Sequence, residues 1–422
     1  MGRQGITRQE LLAAGAGTYL AVLLGGCGSG GSDSDEITFW NGFTGGDGPT
    51  MLELLDAYTK ESGTPVKMVS VRWEDFYQKV PAAVGAGRGP DVAIMHVDQI
   101  ATSAAHEVLR PIDDLAEQLG LQESDFAPDV WNASVYRERR YGIPLDMHPL
   151  AFYYNKAVLE EAGLDPDDPP ADRESFESAL EELKGKGVQG NWVSPFLFTG
   201  GFMFQSLLWQ FGGDLTSEDG TAVAWDSDAG VEAMEYVKSF SAKGYSPDNI
   251  AQDADAIAFK GGQNAFIWNG AWAVADYGST EGLEWGVAPL PQIGDEPAAW
   301  SNSHQFVVTR GLPDSKLEAV SGLIDSVTRS PDWANAGMIP ARQSAREPEA
   351  FQKLEPAVAI EKEIPYVRFP RPIPGIGDVR ESTLDVAVQQ ALSGAKPVRV
   401  ALSESAERAN QLMDDNRQKY EA

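Results

Sequence analysis

Four aromatic and polar side chains, Trp40, Phe43, His96 and Asp98, lie where short β-type runs of the sequence end. Trp40 closes the run 37–40, Phe43 stands in the glycine-rich loop after it, and His96 and Asp98 follow the run 90–95. In a parallel sheet flanked by helices, ligands bind in the crevice beyond the carboxyl ends of the strands. The sequence therefore predicts a ligand site at this edge, with aromatic surfaces beside hydrogen-bonding groups.

Residue types that carry metal or covalent chemistry are sparse. Four histidines, His96, His106, His148 and His304, are scattered without HxxxH or HExxH spacing, and the single cysteine excludes a Cys-rich metal site. No GxSxG nucleophile motif occurs. A zinc site would require histidines that converge from distant parts of the chain. We therefore expect no metal site, no cofactor and no catalytic residue.

The single cysteine, Cys27, ends an N-terminal apolar run, residues 11–26, that follows Arg3 and Arg8. This run is short for a membrane-spanning helix, which needs about 20 strongly apolar residues. Basic residues, an apolar run and small residues in this order indicate a secretory signal, and Leu24–Cys27 is similar to a lipobox. We predict a signal peptide over 1–26, lipid attachment at Cys27, and a Gly/Ser-rich flexible tether over 27–36.

These features place the protein on the extracellular face of the cell membrane. A plain signal peptide or an uncleaved anchor is the alternative. Residues 7–12 resemble a twin-arginine export signal, but Gln9 occupies the position of the second arginine, which leaves the Sec route open.

Composition restricts the classes of partner and the number of lobes. The formal charge of the 422-residue chain is −30, and such an acidic chain repels nucleic acid and anionic lipid headgroups. With 42% hydrophobic and 23% charged residues, the chain is typical of a globular protein. Its length exceeds what one hydrophobic core usually supports, so we expect two lobes.

The pattern of apolar residues from 37 to 95 predicts strand, helix, strand, helix, strand, which indicates a parallel sheet with helices on both faces and hence an α/β fold. Helical spacing predicts further helices, and β-type runs predict further strands. The predicted helices are 50–62, 73–84, 156–162, 175–187, 231–243, 381–393 and 400–420. The predicted strands are 37–40, 66–71, 90–95, 150–154, 265–274, 285–289 and 304–309.

Five segments, spread over nearly the whole chain after Cys27, stand in an order that resembles one protein family. They are Tyr141–Glu161 (YGIPLDMHPLAFYYNKAVLEE), Pro169–Phe176, Phe211–Gly213, the pair Asn269–Trp272 (NGAW) and Trp285–Pro291 (WGVAPLP), and Met338–Arg342 (MIPAR). Their order and distances resemble those of the extracellular solute-binding proteins of carbohydrate ABC importers, the family that includes the maltose-binding protein.

The resemblance implies a two-lobed periplasmic-binding-protein fold, with three hinge crossings and a ligand cleft between the lobes. It assigns residues 36–112 and 301–337 to the N-terminal lobe, and residues 113–300 and 338–422 to the C-terminal lobe. The chain is expected to cross near 111–114, 300–301 and 337–339.

A sugar site needs aromatic rings that stack on C–H faces and planar polar groups that bond hydroxyls. Trp272 matches the stacking tryptophan of the family. Arg380 stands where the family often places another aromatic ring, which disfavours maltodextrin. The predicted ligand-binding residues are Trp40, Phe43, Trp73, His96, Asp98, Asp146, His148, Phe202, Gln205, Trp268, Trp272, Asn302, His304, Arg342 and Arg380.

Each candidate also has a purely structural interpretation. The tryptophans could be core residues, His96 and Asp98 could cap a helix, and Arg342 could pair with an acid.

The resemblance implies a lipid-anchored, monomeric receptor that captures a sugar, by its tryptophan content an oligosaccharide, through lobe closure and delivers it to an ABC permease. A secreted carbohydrate-active enzyme, a glycoside hydrolase or lyase, is the alternative, because aromatic rings and carboxylates also suit acid–base catalysis. A receptor for polyols, glycerol phosphates or metals is a third class. A phosphate ligand would need a basic pocket, and a metal would need clustered histidines and acids.

Overall fold

The computed structural model describes residues 36–421. The predicted signal peptide, the lipid attachment at Cys27 and the tether up to residue 35 lie outside these residues. Within the described part of the chain, no helix is long and apolar enough to cross a membrane.

The first half of the described chain alternates strands and helices, as the sequence pattern predicts. Its elements are β1 (Ile37–Asn41), α1 (Asp47–Ser62), β2 (Val66–Ser70), α2 (Trp73–Gly85), β3 (Val92–His96), α3 (Val97–Ala105), α4 (Asp113–Gln118), α5 (Pro128–Asn132), β4 (Val135–Tyr136), β5 (Arg139–Arg140), β6 (Ile143–Pro144), β7 (Asp146–Asn155), α6 (Lys156–Ala162), α7 (Arg173–Gly185) and α8 (Phe202–Gln210).

The second half ends in helices that pack on the later strands. Its elements are α9 (Asp228–Ala242), α10 (Ala254–Lys260), β8 (Phe266–Gly270), α11 (Ala273–Ser279), β9 (Trp285–Ala288), β10 (Ala299–Asn302), β11 (His304–Val308), α12 (Leu317–Thr328), β12 (Ile339–Pro340), α13 (Gln343–Arg346), α14 (Glu349–Gln352), α15 (Glu355–Glu361), β13 (Val367–Arg368), α16 (Ile376–Ser382), α17 (Leu384–Leu392) and α18 (Val398–Glu421). Single turns of 3₁₀ or π helix join some of these elements.

The first sheet has the strand order β2-β1-β3-β11-β6. β1 runs parallel to β2 and β3, and β11 runs antiparallel to β3 and β6. Along β1, Ile37 and Phe39 are buried, and helix α1 buries Met51, Leu55 and their neighbours against the sheet. The predicted parallel core of this lobe is therefore confirmed.

The second sheet is built around the ten-residue strand β7. Strands β12, β10, β8 and β9 all pair antiparallel to β7, and β13 pairs with β10. Every residue of β7 is buried. Its early residue Met147 packs in the first core, whereas Phe152 and Tyr154 pack in the second. β7 therefore carries the chain from one lobe to the other.

Residues 113–145 differ from the sequence-based assignment, which placed them in the C-terminal lobe. Leu115, Phe126 and Trp131 pack in the core of the first sheet, and β6 is a strand of that sheet. The resemblance places a crossing near 111–114, but the segment after it returns to the first sheet as β6 before the chain leaves that sheet. The chain passes to the second sheet at Leu145 and Asp146.

The other passages lie close to the predicted positions. β10 belongs to the second sheet and β11 to the first, so the chain returns at Ser303. β12 then pairs with the beginning of β7, Pro340 opposite Asp146. The strand predicted over 265–274 ends at Gly270, and helix α11 follows.

Candidate functional site

The beginning of β7 brings the three chain passages together. Asp146 and His148 lie on β7, Asn302 lies on β10 opposite His148, and His304 begins β11 opposite His96 of β3. Both sheets thus contribute polar side chains to one place. All of these residues belong to the predicted ligand site, and the structure brings them into one cluster.

Asp146 is the hub of this cluster. Its Oδ1 accepts hydrogen bonds from His148 Nδ1 (3.0 Å) and the His304 backbone N–H (3.0 Å). Its Oδ2 accepts from His304 Nδ1 (2.8 Å) and Trp333 Nε1 (2.8 Å). An ionised carboxylate has about four lone-pair positions, so this completely buried group is fully satisfied by the protein.

Three imidazoles converge beside Asp146. The rings of His96, His148 and His304 each offer a nitrogen, and these three atoms lie within 4.8 Å of one another. His96 Nδ1 is 2.7 Å from the Tyr77 hydroxyl. The sequence argues against a metal site because its histidines lack zinc-site spacing, but strand pairing produces the long-range convergence that such a site requires. Two further residues of this cluster, Tyr77 and Trp333, were not predicted from the sequence.

Burial and neighbouring charges shift the pKa values of Asp146, His96 and His148. Burial favours a raised pKa for Asp146, but the interaction with His304 and the hydrogen bonds from the two imidazoles outweigh it and hold that pKa well below its usual range. Burial, followed by repulsion from His304, lowers the pKa of His96 and that of His148. Asp146 is therefore an anion at neutral pH.

The first lobe supplies an aromatic wall to the cluster. The Trp73 ring lies 4.3 Å from the His96 ring and stacks on His304 at 5.7 Å between centroids, and Phe43 meets His304 edge-on at 5.0 Å. A Cβ on Gly42 would stand 2.1 Å from the Trp73 ring. Only glycine at position 42 allows the ring to occupy this place.

The second lobe supplies a matching wall around Trp272. This half-buried ring contacts all three hydrophobic clusters that meet here, and it lies 6.0 Å from His148 and 6.3 Å from Phe202. A Cβ on Gly270 would stand 2.1 Å from the Trp272 ring, which explains the glycine of the NGAW segment. Phe202 stacks on Trp300 at 3.6 Å, and sequence reasoning missed Trp300.

Asp98 and Arg380 face one cavity between helices α3 and α16. Its other lining residues are Leu215, Trp225, Pro370, Ile376 and Gly377. Asp98 is 8% exposed, yet its Oδ1 has no hydrogen-bond partner among residues 36–421, and the same holds for Arg380 Nε and Asp385 Oδ1. The Arg380–Asp385 ion pair is long, at 3.8 Å. Buried polar atoms without a partner cost free energy, so this cavity is less well satisfied than the Asp146 cluster.

A larger groove of about 720 Å³ adjoins this cavity and shares Pro370 with it. One side is formed by Asp129 and Asn132 of the first lobe, and the other by Trp209, Arg368 and further residues of the second. This volume falls within the range of small-molecule sites, about 300–1,000 Å³.

Four predicted site residues belong neither to the Asp146 cluster nor to the cavity of Asp98 and Arg380. Trp268 is completely buried against Phe152 and Phe176, so it is a core residue. Trp40 is half-buried and packs against the apolar cluster around Phe76, against which Trp73 and Tyr77 also pack.

Gln205 and Arg342 are likewise structural. Gln205 is fully buried and donates to the Gly201 carbonyl. Arg342 pairs with Asp325 at 2.8 Å, the alternative that the sequence left open.

Comparison with known proteins identifies the family. The model for "Bacterial extracellular solute-binding protein" matches residues 53–358. Maltodextrin-binding protein MdxE of Bacillus subtilis is 23% identical over 86% of this chain and 86% of its own length. The sn-glycerol-3-phosphate-binding periplasmic protein UgpB of Pectobacterium atrosepticum is 22% identical over 91% of this chain and 93% of its own.

A solved structure confirms the two-lobed fold. The GacH receptor of Streptomyces glaucescens, solved unliganded and with acarbose, superposes with a TM-score of 0.79 over 90% of this chain and 98% of its own, at 23% identity. The matched family model covers more than half of the chain and includes β7, the crossing strands, Trp73 and Trp272. The chain belongs to the bacterial extracellular solute-binding protein family.

Proposed function

We propose that this protein binds a sugar, an oligosaccharide by its site dimensions, in the cleft between its lobes and delivers it to an ABC importer. The observation that carries the proposal is the pairing of Trp73 and Trp272. Each ring comes from a different lobe, and each lies over a glycine. Between them stand His96, His148 and His304.

This arrangement matches what a sugar presents. Pyranose C–H faces stack on aromatic rings, and hydroxyl groups need acceptors and donors at the ring edge. Asp98 and Arg380 retain unpartnered polar atoms for hydroxyls. The adjoining groove gives room for further sugar units. Relatives named for maltodextrin and for galactooligosaccharide support the same class of ligand.

Lobe closure follows from the three passages. We assign residues 36–145 and 303–338 to the first lobe, and 146–302 and 339–421 to the second. Contacts to both tryptophans exist only when the lobes approach each other, so ligand shifts the population toward the closed form. The permease then recognises the surface of the closed form. A lipid on Cys27 and the tether over 27–36 keep a monomeric receptor beside it on the outer face of the membrane.

The test is a thermal-shift screen of the purified protein against mono- and oligosaccharides, followed by calorimetry on the best ligand. Trp272→Ala should weaken binding about 10- to 100-fold, because a stacking platform worth about 1.4–2.8 kcal/mol is lost. Trp285→Ala is the matched control, since Trp285 packs on Tyr153 and Tyr277 away from the cluster. Unchanged affinity in Trp272→Ala would refute the assignment.

The same screen separates the alternatives. Products released from an oligosaccharide would indicate the enzyme rather than the receptor. A thermal shift with glycerol phosphates but with no sugar would indicate that the protein binds the class of ligand for which UgpB is named.

A further inference from the structure

We propose that His96, His148 and His304 form a binding site for one divalent transition-metal ion, for which zinc is the best match. The three rings come from β3, β7 and β11, and one nitrogen of each lies within 4.8 Å of the other two. Such convergence of three imidazoles is not required for stacking a sugar. The inference stands independently of the proposed sugar ligand.

The hydrogen bonds fix which nitrogen the His148 and His304 rings present. Asp146 can only accept, so His148 and His304 must donate from Nδ1 to its two oxygens. Each ring then carries its free lone pair on Nε2. The His96 ring has the same tautomer when its Nδ1–H donates to the Tyr77 hydroxyl, 2.7 Å away. Metal-ligating histidines are held in this way by a carboxylate or another acceptor on the second nitrogen.

The donor set selects the kind of metal. Both oxygens of Asp146 are occupied by four donors, so the carboxylate is not free to coordinate. Three imidazole nitrogens without carboxylate oxygen suit zinc, copper or nickel, whereas calcium and magnesium require oxygen ligands. Three protein ligands also leave a fourth position for water or a solute hydroxyl, as in open zinc sites.

The distances require only a small adjustment. Zn–N bonds of about 2.0–2.1 Å place tetrahedral nitrogen ligands about 3.4 Å apart. One ring nitrogen of each histidine already lies within 4.8 Å of a ring nitrogen of the other two. His96 and His304 belong to the first sheet and His148 to the second, so an ion at this position would link the two lobes at their hinge.

The experiment is a titration of the chelator-treated protein with Zn²⁺ alone, in excess Mg²⁺ so that surface carboxylates are occupied. We expect one Zn²⁺ per chain by calorimetry and by metal analysis after dialysis. His148→Ala and His304→Ala should each weaken binding at least 100-fold. Tyr77→Phe, which removes only the hydroxyl beside His96, should weaken it about 10-fold.

His106→Ala is the matched control. His106 is the remaining histidine, and it contacts Tyr420 outside the cluster. A Co²⁺ spectrum of the unmodified protein provides a second measurement that does not depend on variants folding. Intense visible bands of four-coordinate nitrogen ligation are expected. Absence of saturable Zn²⁺ binding, equal loss in His106→Ala, or a weak six-coordinate oxygen-type Co²⁺ spectrum would each overturn the proposal, whether or not the protein binds sugar.

Discussion

Two buried carboxylates near the cleft, Asp146 and Asp98, are held in contrasting ways. Asp146 accepts four hydrogen bonds, and its oxygens are saturated. Asp98 is nearly as deeply buried, but its Oδ1 has no partner within the described chain. A satisfied buried carboxylate stabilises the fold, whereas an unsatisfied one costs free energy. Asp146 is thus a structural hub, and Asp98 is the carboxylate that we propose to face the ligand.

The difference extends to the neighbours of each carboxylate. Around Asp146 the donors are held by strands from both sheets. Around Asp98, by contrast, Arg380 Nε and Asp385 Oδ1 are also unpartnered, and their mutual ion pair is 3.8 Å long. Interactions lower the pKa of Asp146 despite burial, whereas burial outweighs Arg380 and raises the pKa of Asp385.

The largest effect on stability is expected from Asp146→Ala. This change leaves two imidazole N–H groups, the Trp333 indole N–H and the His304 amide without an acceptor in a dry interior. Removing one partner of a buried charged network typically costs about 3–5 kcal/mol, so the free energy of unfolding in urea should fall by about that amount.

Asp168→Ala is the control, because Asp168 lies exposed in the loop between α6 and α7. Its unfolding free energy should change by less than about 0.5 kcal/mol. Equal effects of the two substitutions would show that Asp146 is not the hub of the hinge.

A smaller effect, on ligand affinity rather than on stability, is expected from Asp98→Asn. No protein hydrogen bond to its Oδ1 is lost, so the unfolding free energy should change by less than about 1 kcal/mol. A hydroxyl bonded to the charged carboxylate contributes about 1.5–3 kcal/mol, so calorimetry should show affinity for the best sugar reduced about 10- to 150-fold.

The matched control is Glu363→Gln, which alters a buried acid bonded to the Leu290 amide in the second lobe. It should leave sugar affinity unchanged. Asp98→Asn with full affinity and a large loss of stability would reverse the roles assigned to the two carboxylates.

Local patterns predicted the elements of the first lobe well. Strand and helix periodicity located β1, α1, β2, α2 and β3 to within a few residues, because burial on one face dictates the spacing. Loop and strand-end positions also singled out Phe43 and Trp73, which lie beside the histidine cluster, and Asp98, which lines the cavity near Arg380.

The contacts that could not be predicted from the sequence depend on strand register. The convergence of His96 and His304 depends on the pairing of β3 with β11, over 200 residues apart in the chain. Trp268 and Trp272 lie in one apolar segment, and the pattern of that segment does not show which of the two is a core residue. The strand ends at Gly270, so Trp268 stays in the core while Trp272 lies beside His148.

Asp385→Asn should produce the smallest change in stability. Unlike Asp146→Ala, it should stabilise the protein. Burial raises the pKa of Asp385 above its unfolded value, so the folded state binds the proton more tightly. Ionisation therefore costs stability as pH rises through the unfolded pKa, near 3.9. The isosteric neutral amide avoids this cost. Urea unfolding should show the variant more stable by about 0.5–1 kcal/mol at pH 7 and equal to the parent below about pH 3. A variant less stable than the parent at pH 7 but equal to it below about pH 3 would mean that the Arg380 pair, despite its length, outweighs burial, and that Asp385 is as well satisfied as Asp146.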